Sequence, residues 1–256
     1  MLRLEEMNSV KLEEFKNNKL EIVEIFKSIS GEGISAGEIV AFVRVAGCNL
    51  RCSYCDTKYS YIEDSSDNLF LYPQEIVDTL NELEVKKVIC TGGEPLEVDK
   101  VKRYLPIYLA KEGFEVRIES NGSCPIYTQN EMISFSYNKE FKLNYTLDVK
   151  SPSSGVEEEK FFKDNLLNLS LGDELKFVVG NQADLDYSIT FLERHAKVLA
   201  KNKVIINFSP IFGVMEEGRL VEFLLNYNSF FLELGLKTRL SLQIHKVIWV
   251  VDKRGV

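Results

Sequence analysis

Residues 47–57 read GCNLRCSYCDT and place Cys48, Cys52 and Cys55 on one short stretch in a Cys-x3-Cys-x2-Cys arrangement. The stretch directly follows the apolar run Ala41 to Val45, so the ligands begin where a candidate strand ends. Three thiols so close together suit metal ligation better than a disulfide framework. A 4Fe-4S cluster held by three cysteines keeps one iron open to an exogenous ligand, which points to chemistry at the cluster rather than electron carriage. The same thiols completed by a distant histidine would instead make a zinc site, and only His195 and His245 are available. His195 falls in a charged helical stretch, whereas His245 follows the last candidate strand. Cys90 and Cys124 each stand alone beside apolar or small residues and read as packed thiols.

Outward from the triplet, the next candidate strand ends in CTGGEP, residues 90–95. Glycines at a strand end let the backbone approach a ligand and present its amides and carbonyls, although a plain strand-to-helix turn would use the same residues. Further candidate strands are Leu20 to Ile29, Lys87 to Cys90, Glu115 to Glu119, Tyr145 to Val149, Leu175 to Val179, Val204 to Phe208 and Arg239 to Gln243. Apolar residues recur at helical spacing in Gln74 to Leu83, Val101 to Lys111, Glu157 to Leu167, Leu185 to Ala200 and Arg219 to Leu234. Alternating β and α units predict a parallel α/β fold. The number of strands falls short of a closed eight-stranded barrel, so the expectation is a partial, open TIM-like barrel of about six parallel strands, with a doubly wound open sheet as the other possibility. In both, functional loops gather at the C-terminal ends of the strands, where both motifs fall.

The 256 residues suit an N-terminal extension over residues 1–20 and a single catalytic domain over 21–256. A net charge of −8 disfavours a surface that coats nucleic acid and favours a small-molecule substrate. No long uncharged apolar run suggests a membrane span, and the acidic start does not read as a signal peptide, so a cytoplasmic protein is expected.

The triplet, with Tyr54 just before its third cysteine, and the Gly92-Gly93-Glu94-Pro95 element together resemble the radical SAM (S-adenosylmethionine) superfamily. Within it, FKSISGEG, FVRVAGCNL, CDT, IESNG (118–122), LSLQIHKVIW and KRGV resemble the 7-carboxy-7-deazaguanine synthases over about residues 21–256. That resemblance implies a lyase of queuosine and 7-deazapurine biosynthesis. Its reaction contracts the ring of 6-carboxy-5,6,7,8-tetrahydropterin to 7-carboxy-7-deazaguanine with loss of ammonia, using SAM as a catalytic cofactor.

The resemblance also implies a division of labour among residues. Cys48, Cys52 and Cys55 would bind the 4Fe-4S cluster, with SAM on the fourth iron. Tyr54, Cys55, Asp56, Gly93, Glu94, Asp148, Lys150, Ser209 and Pro210 would contact SAM. Ile29, Ser30, Gly31, Glu32, Arg44, Thr91, Glu119 and His245 would bind substrate, and the Val256 carboxylate would fold back toward it. Arg44, a charge in the apolar run AFVRVAG, suits a bidentate carboxylate contact, and the alternative is a surface salt bridge. Glu32 and Glu119 suit the NH groups of a pterin. Thr57 would contribute one oxygen to Mg2+, the substrate supplying others. Ser30 replaces the family's usual glutamine, and DVKSPSS (148–154) departs from its Ser-Pro-Lys pattern. A flavodoxin or ferredoxin reductant and a homodimer are implied as well. Another radical SAM enzyme, such as a glycyl-radical activating enzyme, and a non-catalytic zinc or iron-sulfur module are the competing readings.

Overall fold

In β7 (Glu174–Val179), the alternation of ELKFVV divides the strand between two environments. Leu175, Phe177 and Val179 are fully buried against the helical layer, while Glu174, Lys176 and Val178 face the opposite side. The same alternation places Ala41, Val43 and Val45 of β2 (Ile39–Val45) outward into the apolar core, and Phe42 and Arg44 inward. The computed structural model describes residues 14–128, 131–132, 142–250 and 253–256. The first 13 residues of the expected extension over 1–20 lie outside these. Beyond them, Phe15 is fully buried and meets the Tyr108 ring edge-on at 5.4 Å.

Among the described residues, nine strands form one sheet. Besides β2 and β7 they are β1 (Leu20–Ile29), β3 (Leu69–Leu71), β4 (Lys87–Gly92), β5 (Glu115–Ser120), β6 (Leu143–Val149), β8 (Ile205–Pro210) and β9 (Lys237–Leu240). Their order is β3-β1-β2-β4-β5-β6-β7-β8-β9. The run from β2 through β4 to β9 is parallel, and β1 joins its edge antiparallel to both β2 and β3. The expected open barrel is thus present with seven parallel strands, its ends β3 and β9 unjoined. The loop after β1 reaches across the gap: Gly33 N donates to Ser241 Oγ (3.0 Å), Ile34 N to Glu174 Oε2 (3.1 Å), and Ile244 N to Gly31 O (3.1 Å).

Among the described residues, helices cover the outer face, apart from the last, which lies at the cavity. They are α1 (Pro73–Glu82), α2 (Leu105–Lys111), α3 (Asn165–Asn168), α4 (Gln182–Asn202), α5 (Glu217–Asn226), α6 (Asn228–Glu233) and α7 (Ile244–Ile248). α1 buries Ile76, Val77 and Leu80, and α4, capped by the Asn181 side chain on Asp184 N, buries Leu185, Leu192, Ala196 and Leu199. Phe177 stacks on Phe208 (5.5 Å) and meets Phe191 edge-on (5.6 Å), a contact set whose loss on Phe→Ala typically costs about 3–5 kcal/mol.

Three expected helices differ. Glu157 to Leu167 is broken into a short 3-10 turn (Glu158–Lys160) and α3, because Phe161 is buried, Phe162 N donates to Gly122 O, and the Asn165 side chain serves Ile126 N and Cys124 O. Arg219 to Leu234 divides at Tyr227, and Val101 to Lys111 opens with a 3-10 turn before Pro106. The last strand ends at Leu240, so LQIHK runs into α7. Among the described residues, no helix is long and apolar enough to cross a membrane.

Candidate active site

The Cys48 loop is fastened to GGEP before any ligand is considered. Gly93 N donates to Val45 O and Glu94 N to Gly47 O, both at 2.9 Å, extending the β2–β4 ladder beyond the strands. A Cβ on Gly93 would overlap the Gly47 carbonyl, and Gly92, at φ +121°, would drive one into Val45. Buried Lys102 donates to Ala46 O (2.7 Å) and Gly47 O (2.8 Å) and pairs with Glu97 (2.7 Å). Glu94 is fully buried, accepting from Leu96 N (2.9 Å) and Asn121 N (2.7 Å), so it joins the loops after β4 and β5. Burial pushes its carboxyl up, against these hydrogen bonds.

Cys48, Cys52 and Cys55, all free thiols, line one cavity of about 590 Å³ at the C-terminal ends of the strands. Burial pushes the thiols of Cys48 and Cys52 up, so their thiolates call for a nearby cation. Asn121 Nδ2 approaches Cys48 Sγ at 3.7 Å. The buried Tyr54 hydroxyl has no hydrogen-bond partner among the described residues, an orphan beside the thiols that a bound group could satisfy. Among the described residues no three His, Cys, Asp or Glu side chains converge as they would around a single metal ion. Three free thiols lining one cavity, with the Gly92–Gly93 loop and the orphan Tyr54 hydroxyl alongside, supply the donor set that a three-cysteine 4Fe-4S cluster with SAM beside it would use.

A chain of charges starts beside the thiols and runs along the cavity wall through β6, the loop after it, β7 and the loop after β1. Lys150 pairs with Asp148 (2.6 Å), Asp148 with Lys176 (3.2 Å), and Lys176 with Glu32 (3.0 Å). Burial would raise the Asp148 carboxyl, but the two lysines outweigh it and hold the group below its ordinary value. Glu119, which accepts from Thr91 Oγ1 at 2.9 Å, is pushed up by burial despite nearby Lys176. Arg44 donates through Nε to Glu24 of β1 at 2.7 Å, with both side chains largely buried. Tyr59 also donates to Glu24 (3.0 Å), and burial raises its hydroxyl to about 12. Phe26 and Phe42, stacked at 5.0 Å, add an aromatic wall.

α7 closes one side of the cavity. His245 sits on Gly31 so closely that a Cβ there would overlap its Nδ1, and burial lowers its pKa. Lys246 pairs with Asp56 at 2.8 Å. Arg254 lies over the Tyr59 ring at 3.9 Å, and Lys253 to Val256 reach the lining.

Most of the anticipated residues therefore converge. Thr57, Tyr54, Asp56, Gly93, Asp148, Lys150, Ser209, Ile29, Gly31, Glu32, Arg44, Thr91, Glu119 and His245 line the cavity with the three cysteines. Three do not. Ser30 is buried with Oγ against Glu32 O and Ser35, Glu94 is consumed by backbone amides, and Pro210 is buried at the end of β8. Cys90 and Cys124 are buried, as expected, and burial raises Cys124 to about 11. His195 lies on Phe191 (4.6 Å) and does not line the cavity. Sequence reasoning passed over Lys176, Glu24, Tyr59 and Lys246. The only signal for Lys176 was a charge alternating with the apolar residues Leu175, Phe177 and Val179 of its strand.

Comparison with known proteins matches this geometry. The model of the radical SAM superfamily covers residues 42–134, which include the thiol triplet and GGEP. The fold and the site define a radical SAM protein. The 7-carboxy-7-deazaguanine synthase of Clostridium acetobutylicum is 36% identical over 92% of this chain and 98% of its own. That of Leptospira interrogans is 33% identical over 94% and 99%. The crystal structure of QueE from Escherichia coli superposes with a TM-score of 0.67 at 22% identity, covering 92% of this chain and 98% of that one, which shows a shared fold. The chain belongs to the 7-carboxy-7-deazaguanine synthase family.

Proposed function

We propose that this enzyme converts 6-carboxy-5,6,7,8-tetrahydropterin into 7-carboxy-7-deazaguanine with release of ammonia. The observation that carries the reading is one cavity lined both by the three thiols and by Arg44, Glu32 and Glu119. When bound and reduced, the 4Fe-4S cluster with SAM supplies a carbon-centred radical able to abstract a substrate hydrogen. The protein holds the pterin against that point. Arg44 spends only Nε on Glu24, leaving the Nη edge of its fork for the substrate carboxylate. Glu32 and Glu119 accept from the pterin amino and ring NH groups, and neutral His245 and Thr91 complete the polar wall. Ile29 and Gly31 frame the same loop.

Cys48, Cys52 and Cys55 hold the cluster. Tyr54, Asp56, Gly93, Asp148, Lys150 and Ser209 contact SAM, while Ser30, Glu94 and Pro210 support the site from behind. Thr57 offers one hydroxyl oxygen to Mg2+, which binds as a complex with substrate because one hydroxyl makes no tight site. A flavodoxin or ferredoxin supplies the electron, and the enzyme is a cytoplasmic homodimer whose catalytic domain spans residues 21–256. The free outer edge of β3, with Leu69 and Phe70 exposed, is the kind of edge a second copy would cover.

The test is anaerobic reconstitution with iron and sulfide, followed by incubation with reductant, SAM, Mg2+ and the carboxytetrahydropterin. The expected outcome is the deazapurine product with SAM recovered. A fully clustered, SAM-cleaving protein that makes no deazapurine overturns the substrate assignment. Stoichiometric zinc with no iron-sulfur uptake overturns the radical chemistry.

A further inference from the structure

Lys176 stands at the centre of the cavity wall. Its Nζ lies 3.0 Å from Glu32 of the loop after β1 and 3.2 Å from Asp148 of β6, and that same Asp148 carboxylate binds Lys150 at 2.6 Å. Its side chain is only 14% exposed, so it is held where an unpaired ammonium would be costly. Its neighbours fall into two groups. Asp148 and Lys150 belong to the thiol side of the cavity, where Lys150 also lies 5.9 Å from the Tyr54 ring. Glu32 and Glu119 are the acids assigned to substrate.

We infer that Lys176 is a positioning residue that ties the SAM-side pair Asp148–Lys150 to the substrate-side acids Glu32 and Glu119, so that the two ligands are held in register by one ammonium. The inference rests on the proposed function for the naming of the two sides. It follows from valence and distance. One ammonium has three protons, two are directed at carboxylates on different elements, and among the described residues neither carboxylate pairs with another cation that reaches across. Without the ammonium, Asp148 keeps Lys150, but Glu32 and Glu119, which repel each other's charge, lose the cation they share. Their spacing then widens by repulsion, or one takes up a proton. Either change costs the pterin an acceptor.

The charges around Glu119 make the consequence measurable. Lys176 from β7 favours its ionised form, Glu32 from the loop and Asp148 from β6 disfavour it, and the Thr91 hydroxyl from β4 donates to it. Removing the lysine therefore moves the acid limb of the pH profile to higher pH, by about one unit or more. Removing Glu32 moves it to lower pH.

The experiment compares Lys176→Met, Lys176→Arg and Glu32→Gln with wild type as reconstituted holoenzymes. It reads iron content, thermal melting, KM and kcat for the carboxytetrahydropterin, and kcat/KM against pH. The expected results begin with Lys176→Met, which keeps its cluster but loses about 100-fold in kcat/KM, largely through KM, and has its acid limb displaced upward. Lys176→Arg recovers most of that loss. Glu32→Gln displaces the limb downward, and this arm decides the matter if Lys176→Met does not fold. Unmoved limbs in Lys176→Met or Glu32→Gln, or a Lys176→Met enzyme with wild-type KM, overturn the inference. A wild-type holoenzyme that cleaves SAM but leaves the pterin unchanged overturns the substrate reading instead.

Discussion

At Gly93 the requirement for glycine is steric rather than conformational, since a single methyl group would collide with the carbonyl of Gly47 on the loop that carries Cys48. Backbone cannot rotate away as a side chain can. Gly93→Ala is expected to lower stability by at least about 2 kcal/mol, measured by urea unfolding of the cluster-free protein, and to lower iron uptake with it. Arg44 poses a different question, because its partner Glu24 already neutralises it. If the free edge of the guanidinium reads a carboxylate, Arg44→Lys keeps the charge and loses the fork. The expected outcome is a KM for the carboxytetrahydropterin raised about tenfold or more, with the KM for SAM unchanged, in steady-state assays under argon. The chemistry of these residues was legible in the sequence because type and spacing carried it: three thiols, two glycines, a lone arginine in an apolar run. Their partners were not. Glu24 lies 20 residues away on an antiparallel strand, and no local pattern announces that pairing.

α7 shows how an element of five residues can shape a site. It is too short to be stable alone, and its Val247 and Ile248 are exposed, so its position depends on a few polar anchors. These are Ile244 N on Gly31 O, the packing of His245 on Gly31, and Lys246 on Asp56 next to the cysteine triplet. Lys246→Ala removes a pair whose acid is half exposed, so its effect on the melting of the whole protein should stay under about 1 kcal/mol. Its effect on the site should be larger. With α7 free to shift away from the cysteine loop, the substrate KM is expected to rise about tenfold, since small displacements of positioning groups cost rate steeply. A wild-type KM in that variant would show that the remaining anchors suffice. Long elements were readable because each repeats its signal: β7 alternates over six residues and α4 carries apolar residues along 21. Short ones were not, since β3 has three residues and the expected helix over 157–167 yields to Phe161 and Asn165 contacts made far along the chain.

Over the whole molecule, the outer apolar core follows from strand alternation, and the inner wall of the open barrel is polar to an extent that alternation alone does not disclose. Arg117 and Glu174 pair at 2.8 Å within it, Asn207 also binds Glu174, and the Lys176 array lies above them. Which inward residues meet is a matter of register: Thr146 beside Glu174, Asp148 beside Lys176. A buried polar wall ties global stability to pH, and Glu119 isolates one contribution. Burial raises its pKa in the folded protein, so between the ordinary glutamate value of about 4.3 and that raised value the folded state binds more protons than the unfolded one. The Glu119 contribution to wild-type stability then declines as pH rises through that window. Glu119→Gln cannot titrate, and its amide oxygen can still accept from Thr91. The difference in unfolding free energy, variant minus wild type, is therefore expected to increase with pH, with a slope of at most about 1.4 kcal/mol per pH unit, and to level off above the raised pKa. Contributions common to both proteins, including those of His195 and His245, cancel in the difference. Urea unfolding of the two cluster-free proteins at several pH values from 4.5 to about 8 reads it directly. A difference that is flat or falls with pH would mean that Lys176 and Thr91 compensate the buried charge in full.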